Sequence, residues 1–213
     1  MFEKLFLGLV WTIFVVYAFL FAPPNRAETL DLIIDLSTGN IRGINPSIVS
    51  LFNLMGVLPA VYACLLLVDG RGQKLPAWMF VAGSFATGAF ALLPYLALRQ
   101  KNTTWTGEKN LLIDILESPF TAIILTIVTL GLLFFGISQG DWSDFVQQWH
   151  SSRFINVMSI DFCLLCLLPP AIIRDDLAKR GIDNPAMFAT ISFVPLLGVL
   201  VYLCFRPKLK KVD

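Results

Sequence analysis

Six long apolar runs, residues 5–22, 46–68, 76–98, 119–138, 154–173 and 185–205, fill most of this 213-residue chain. Each holds 18 to 23 residues, and a helix needs about 20 to cross a hydrocarbon core ~30 Å thick. A backbone in lipid has no water to bond, so its amides and carbonyls must be satisfied within the segment, and a helix does this. The runs therefore predict an all-α integral membrane protein with six transmembrane helices. Composition agrees: 56% of the residues are hydrophobic and 15% charged, against about 45–50% and about 25% in soluble domains. The connections are too short for a separate globular domain, so one polytopic unit is expected over 1–213, divided into halves at 1–110 and 111–213. A net charge of +1 offers no basic field to a nucleic acid.

Run 5–22 follows Lys4 and resembles the apolar part of a signal peptide. Its length, and Pro23-Pro24 where small residues would be needed for cleavage, predict a retained first helix instead. Cys64, Cys163, Cys166 and Cys204 all fall inside apolar runs, so none suggests an exported disulfide framework.

Six crossings would put both termini on one side. That side would hold Lys4, Arg71, Lys74, Arg153, Arg206, Lys208, Lys210 and Lys211. The other would hold Arg26, Arg42, Arg99, Lys101, Lys109, Arg174, Lys179 and Arg180. With eight against eight the positive-inside rule gives no orientation, and only the basic tail after Arg206 favours cytoplasmic termini.

The two halves share an order of features. Residues 27–36 carry Leu30, Ile33, Ile34 and Leu36 on one face, with Glu28, Asp31 and Asp35 elsewhere. Residues 141–149 carry Trp142, Phe145, Val146 and Trp149 at i, i+3, i+4 and i+7. Both predict short amphipathic helices lying at the interface. Phe52, Leu54, Leu58 and Pro59 match Phe162, Leu164, Leu168 and Pro169; Pro76-Ala77 matches Pro185-Ala186; Arg99 and Arg206 close the third run of each half. Three crossings per unit would reverse the second copy, giving an inverted 3+3 repeat.

Residues 140–206, with Ser159-Ile160-Asp161-Phe162, the Arg-Gly loop at 175–181 and the closing Arg206, resemble a small three-helix bacterial membrane domain of unknown function. The whole arrangement, including Asp69-Gly70-Arg71-Gly72, is similar to uncharacterised six-span proteins of cyanobacteria and plastids. The resemblance implies a multi-pass protein of a bacterial inner, thylakoid or plastid membrane, and no activity. Leu51 stands where the first half would need a counterpart of Asp161.

Asp161 is the candidate intramembrane polar site. A carboxylate at mid-bilayer costs roughly 2.5–3.5 kcal/mol, so it must face the bundle interior and find a partner; Asn53, at nearly the equivalent place in the second run, is the expected one. Pro59 and the Pro169-Pro170 pair are candidate hinges, because each proline removes an amide and frees a carbonyl. The small residues Gly83, Ala86, Gly88 and Ala89 would admit close approach of another helix. Cys163 and Cys166 share a helix face and could form a redox dithiol, although no basic group stands nearby to favour a thiolate. His150 is the single histidine, so one chain cannot build a bis-histidine haem or a three-histidine zinc site; no cofactor is expected.

Three functions follow. The first is a non-enzymatic protein that assists or binds another membrane complex. The second is a small-solute or proton-linked carrier with Asp161 at its centre, and the third a dithiol oxidoreductase using Cys163 and Cys166.

Overall fold

A computed structural model describes residues 2–105 and 110–209; Lys109, Lys210 and Lys211, counted above, lie outside them. The fold is all-helical. Helix α1 (Phe2–Val16) closes in a π-helical turn, Tyr17–Phe21, where Pro23-Pro24 prevents continuation. α2 (Thr29–Thr38) is the first amphipathic helix and ends at Gly39 with φ 80°. That left-handed conformation is one a glycine adopts without penalty. α3 (Pro46–Asp69) starts where Asn45 accepts the Ser47 N–H at 3.0 Å and Pro46 takes the first helical position. It runs unbroken through Pro59 and is the most enclosed helix of the bundle.

After it come α4 (Ala77–Thr87), α5 (Ala89–Leu98) and the short α6 (Leu111–Glu117). α7 (Pro119–Gln139) leads to the second amphipathic helix, α8 (Trp142–Ser151), whose start is capped by Asp141 on the Asp144 N–H at 3.0 Å. α9 (Arg153–Leu167) and α10 (Pro170–Lys179) follow one line across Leu168 and Pro169, and α11 (Pro185–Phe193) and α12 (Leu197–Phe205) complete the chain. Both amphipathic helices therefore form where the sequence places them.

Among the described residues, four stretches are long and apolar enough to cross a membrane: Phe2–Phe21, Pro46–Gly72, Pro119–Gln139 and Arg153–Lys179. The third and sixth runs, expected as spans, fold differently. Each is a pair of short helices. α4 and α5 meet at Gly88, whose φ of 53° and ψ of −127° suit a residue without a Cβ. α11 and α12 meet at Leu196, where the Leu197 N–H donates to the Pro195 carbonyl at 2.7 Å. The arms have 9 to 11 residues, about 15 Å at 1.5 Å per residue and half of a ~30 Å core.

Both ends of each pair lie at the same end of the bundle. Ala77, opening α4, packs on Gly70, while Arg99, closing α5, bonds Asp69. Gln73 and Gln100 exchange two hydrogen bonds of 2.7 Å. In the second pair Pro185 follows shortly after Arg180, and Tyr202 and Arg206 return to Asp176. These are helical hairpins, so among the described residues four long apolar helices and two hairpins are seen, and the expectation of six spans is not confirmed.

The repeat changes accordingly. Two long helices and a hairpin return the chain to its starting end, so the second half runs parallel to the first and the inverted relation is not found. Tyr95 lies 26 residues after Asp69 and donates to it at 3.2 Å; Tyr202 lies 26 after Asp176 and likewise donates to its carboxylate. Arg99 and Arg206 complete the two sets four residues later. Each hairpin is thus tied by its returning arm to a carboxylate in the last turn of the preceding long helix.

The positive charges also sort anew. Lys4, Arg71, Lys74, Arg99, Lys101, Arg174, Lys179, Arg180, Arg206 and Lys208 gather at the end where the hairpins open. Of the described cations, only Arg26, Arg42 and Arg153 sit at the other, with α2 and α8.

Candidate functional site

Asp161 lies eight residues into α9, about 12 Å from its start at 1.5 Å per residue, and is 5% exposed. Its Oδ1 accepts the Ala89 N–H at 2.7 Å. The first turn of any helix carries amides without intrahelical acceptors and a partial positive charge. Here a broken helix supplies them in mid-bundle, and the carboxylate from another helix caps them. Gly88 makes the approach possible, since a Cβ there would overlap the Asp161 carboxylate. The close approach expected around Gly83, Ala86, Gly88 and Ala89 is thus of a carboxylate on Gly88 and, within the hairpin, of Gly83 on Ala91.

Asn53 is not the partner of Asp161. It is exposed, and its Nδ2 donates to the Val49 carbonyl one turn back in α3 at 2.8 Å. An amide on the outer face of a long helix is satisfied most cheaply by its own backbone.

A pocket of about 690 Å³ reaches Asp161 and the hairpin tip. Phe52 and Met55 of α3, Phe85 and Phe90 of the hairpin, and Phe154 of α9 give it apolar walls, and Asn25, Thr29 and Arg153 mark the end nearest α2 and α8. Among the described residues no donor reaches Oδ2 of Asp161, and the buried Thr29 hydroxyl has no hydrogen-bond partner. Two polar atoms of residues lining this mainly apolar pocket, Asp161 Oδ2 and the Thr29 hydroxyl, are therefore without a partner among the described residues.

Towards the other end the bundle is closed by buried ion pairs. Arg99 Nε meets Asp69 Oδ2 at 2.9 Å and its Nη2 also bonds Asp175, while Lys179 Nζ meets Asp69 Oδ1 at 2.9 Å. Beside them Arg180 joins Asp176 at 2.9 Å and Glu117 at 2.8 Å, and Arg206 joins Glu117 at 2.9 Å. Burial alone would lower the Arg99 pKa; the Asp69 and Asp175 carboxylates outweigh it and hold the group above its ordinary value. The same balance, with Asp176 and Glu117, holds Arg180 charged.

The proline candidates divide. Pro59 leaves α3 continuous, whereas Pro169 and Pro170 separate α9 from α10. The Leu165 carbonyl, which Pro169 leaves without its helical donor, accepts the Tyr62 hydroxyl at 2.5 Å. Pro94 similarly frees the Phe90 carbonyl, and the Trp11 indole N–H donates to it at 3.1 Å. Cys163 is exposed and Cys166 half-buried, both as free thiols.

Sequence reasoning missed Gly88 as a break point, the Asp69–Arg99 and Asp176–Arg206 sets, and Thr29. The equal 26-residue spacing of Asp and Tyr in both halves was a signal available in the letters. No protein-family model matches the chain, and no curated protein or solved structure shows significant similarity to it.

Proposed function

We propose that this protein is a small-solute or proton-linked membrane carrier with Asp161 as the binding carboxylate. One observation carries the reading: Asp161, which caps the tip of the broken first hairpin, lines a pocket that extends to Asn25, Thr29 and Arg153 near the α2–α8 end, while buried ion pairs close the bundle towards the other. Discontinuous helices commonly build carrier sites because their free termini lie at membrane depth. The α5 N-terminus holds Oδ1 and leaves Oδ2 to a proton or to a cationic group of a solute, with Phe52, Phe85 and Phe154 giving cation–π and apolar contact. The hairpins are re-entrant in this reading, four helices cross, and the cation-rich end faces the cytoplasm by the positive-inside rule.

The test uses purified protein in liposomes with a trapped pH dye and an imposed pH gradient, alone and with a panel of small organic amines. Wild type should dissipate the gradient at least tenfold faster than Asp161→Asn, which keeps the Oδ1 acceptor for Ala89. Equal rates for the two proteins, with every amine tried, would end the carrier reading.

A second reading is a non-enzymatic protein that binds or assists another membrane complex. It draws on α1 and α7, whose apolar stretches are only 17% buried within the bundle. Co-purification of a stoichiometric partner in mild detergent, unaffected by Asp161→Asn, would favour it.

A further inference from the structure

The parallel repeat is not symmetric in its packing. α7 lies tight against α3: Ser47 Oγ donates to the Gly136 carbonyl at 2.9 Å and Ser50 Oγ to the Leu132 carbonyl at 2.6 Å. The counterpart pair, α1 against α9 and α10, is hydrogen-bonded, among the described residues, near the α2–α8 end, where Tyr17 bonds Asn156 at 2.9 Å and Arg153 bonds the Pro23 and Pro24 carbonyls. Towards the hairpin-opening end the seam parts into a second crevice of about 650 Å³ between α1, α5, α9–α10 and α11.

Its walls and its mouth differ in chemistry. Phe6 and Val10 of α1 face Leu164 and Leu167 of α9, giving an apolar trough. Lys4, Lys101 and Arg174 stand at the mouth, all exposed and none with a carboxylate partner among the described residues. The Lys4 ammonium touches the Leu98 carbonyl at 3.4 Å, and the Arg174 guanidinium lies over the Phe188 ring at 4.8 Å, which fixes its place beside the mouth. Arg99 and Asp175 also line the crevice, but they neutralise each other. Glu3 is the one further acid on the rim.

We propose that this crevice holds an anionic phospholipid, its phosphate among Lys4, Lys101 and Arg174 and an acyl chain in the trough between α1 and α9. Charge complementarity selects the occupant. Three unpaired cations at headgroup level want an anion, and an apolar bed leading from them into the bundle wants a hydrocarbon chain on the same molecule. A cluster of basic side chains between helices at the cation-rich end is a common form of headgroup site. A soluble phosphate would satisfy the mouth and leave the trough empty.

The experiment is native mass spectrometry of the full chain in detergent, incubated with equal amounts of phosphatidylglycerol and phosphatidylcholine of identical chains. Phosphatidylglycerol should be retained about tenfold over phosphatidylcholine. Lys4→Gln, Lys101→Gln and Arg174→Gln should each weaken retention about fivefold, the effect of roughly one kilocalorie per headgroup-level cation. Leu167→Trp, which changes no charge and fills the trough, should lower retention of both lipids. Arg71→Gln with Lys74→Gln, exposed at the same end but outside the crevice, should change nothing. Equal retention of the two lipids, an unaffected triple Gln variant, an equal loss in the Arg71 and Lys74 control, or displacement of the lipid by millimolar inorganic phosphate would each overturn the assignment.

Discussion

The Tyr62 hydroxyl reaches from α3 to the Leu165 carbonyl of α9, the acceptor that Pro169 strips of its own amide. Tyr62 is 1% exposed, so no water can replace it. Tyr62→Phe keeps the ring and removes the donor. An unsatisfied buried carbonyl costs about 1–3 kcal/mol, and thermal unfolding in detergent should show a loss in that range. Trp11→Phe makes the same change at the Phe90 carbonyl, but Trp11 lies at the outer surface and the loss there should be smaller. A larger loss for Trp11→Phe than for Tyr62→Phe would contradict this account.

Gly88 and Gly39 both have positive φ, at 53° and 80°, yet they should respond differently to alanine. Nothing lies within 4 Å of a Cβ built on Gly39, so Gly39→Ala meets only the left-handed backbone penalty, about 1–2 kcal/mol. At Gly88 the added methyl overlaps the Asp161 carboxylate and the backbone angles are further from any that alanine adopts. Gly88→Ala should cost several times as much as Gly39→Ala in the same unfolding measurement. It should also open the half-buried Cys166 to faster thiol labelling as α9 is displaced.

The contrast between those glycines bears on what the sequence discloses. Apolar length identified most of the stretches that enter the core, although the buried Trp105 and Ile113 lie outside the six runs. Length alone does not separate a 23-residue span from two half-length arms, because both bury the same apolar side chains. The difference rests on one dihedral pair at Gly88 and another at Leu196, and on Asp69 and Asp176 drawing the returning arginines back to one end. Asp161 was legible because a lone acid in an apolar run needs a partner. The partner was not, since a backbone amide is present at every residue and becomes available only where a helix is broken. Asn53 was expected on side-chain chemistry and lost to its own helix.

The ion pairs behind the pocket are buried on both sides, with side-chain exposures of 8% and 1% for Arg99 and Asp69. Removing one member of such a set leaves carboxylates without compensation, at about 3–5 kcal/mol. Arg99→Met therefore should destabilise the protein by that order, because Asp175 loses its guanidinium and Asp69 keeps Lys179 as its one charged partner among the described residues. Arg71→Met, at an exposed cation of the same end, should stay within about 0.5 kcal/mol. Comparable losses for both would mean the network contributes little.

Gln73 and Gln100 bind each other across the mouth of the first hairpin, and this fixes a side-specific outcome. A span over 76–98 would place them on opposite faces of a membrane; a hairpin places them on one. In a variant with Cys64, Cys163, Cys166 and Cys204 replaced by Ser or Ala, single cysteines at Gln73, Lys101 and Asp183 should react with a membrane-impermeant maleimide from the same side. Cysteines at Asn40, just after α2, and at Ser143, in the first turn of α8, should react only from the other. Lys101 labelling together with Asn40 would restore six crossings and remove the parallel repeat. Shared labelling of Gln73, Lys101 and Asp183 from the cytoplasmic side would also match the ten-to-three division of described cations between the two ends.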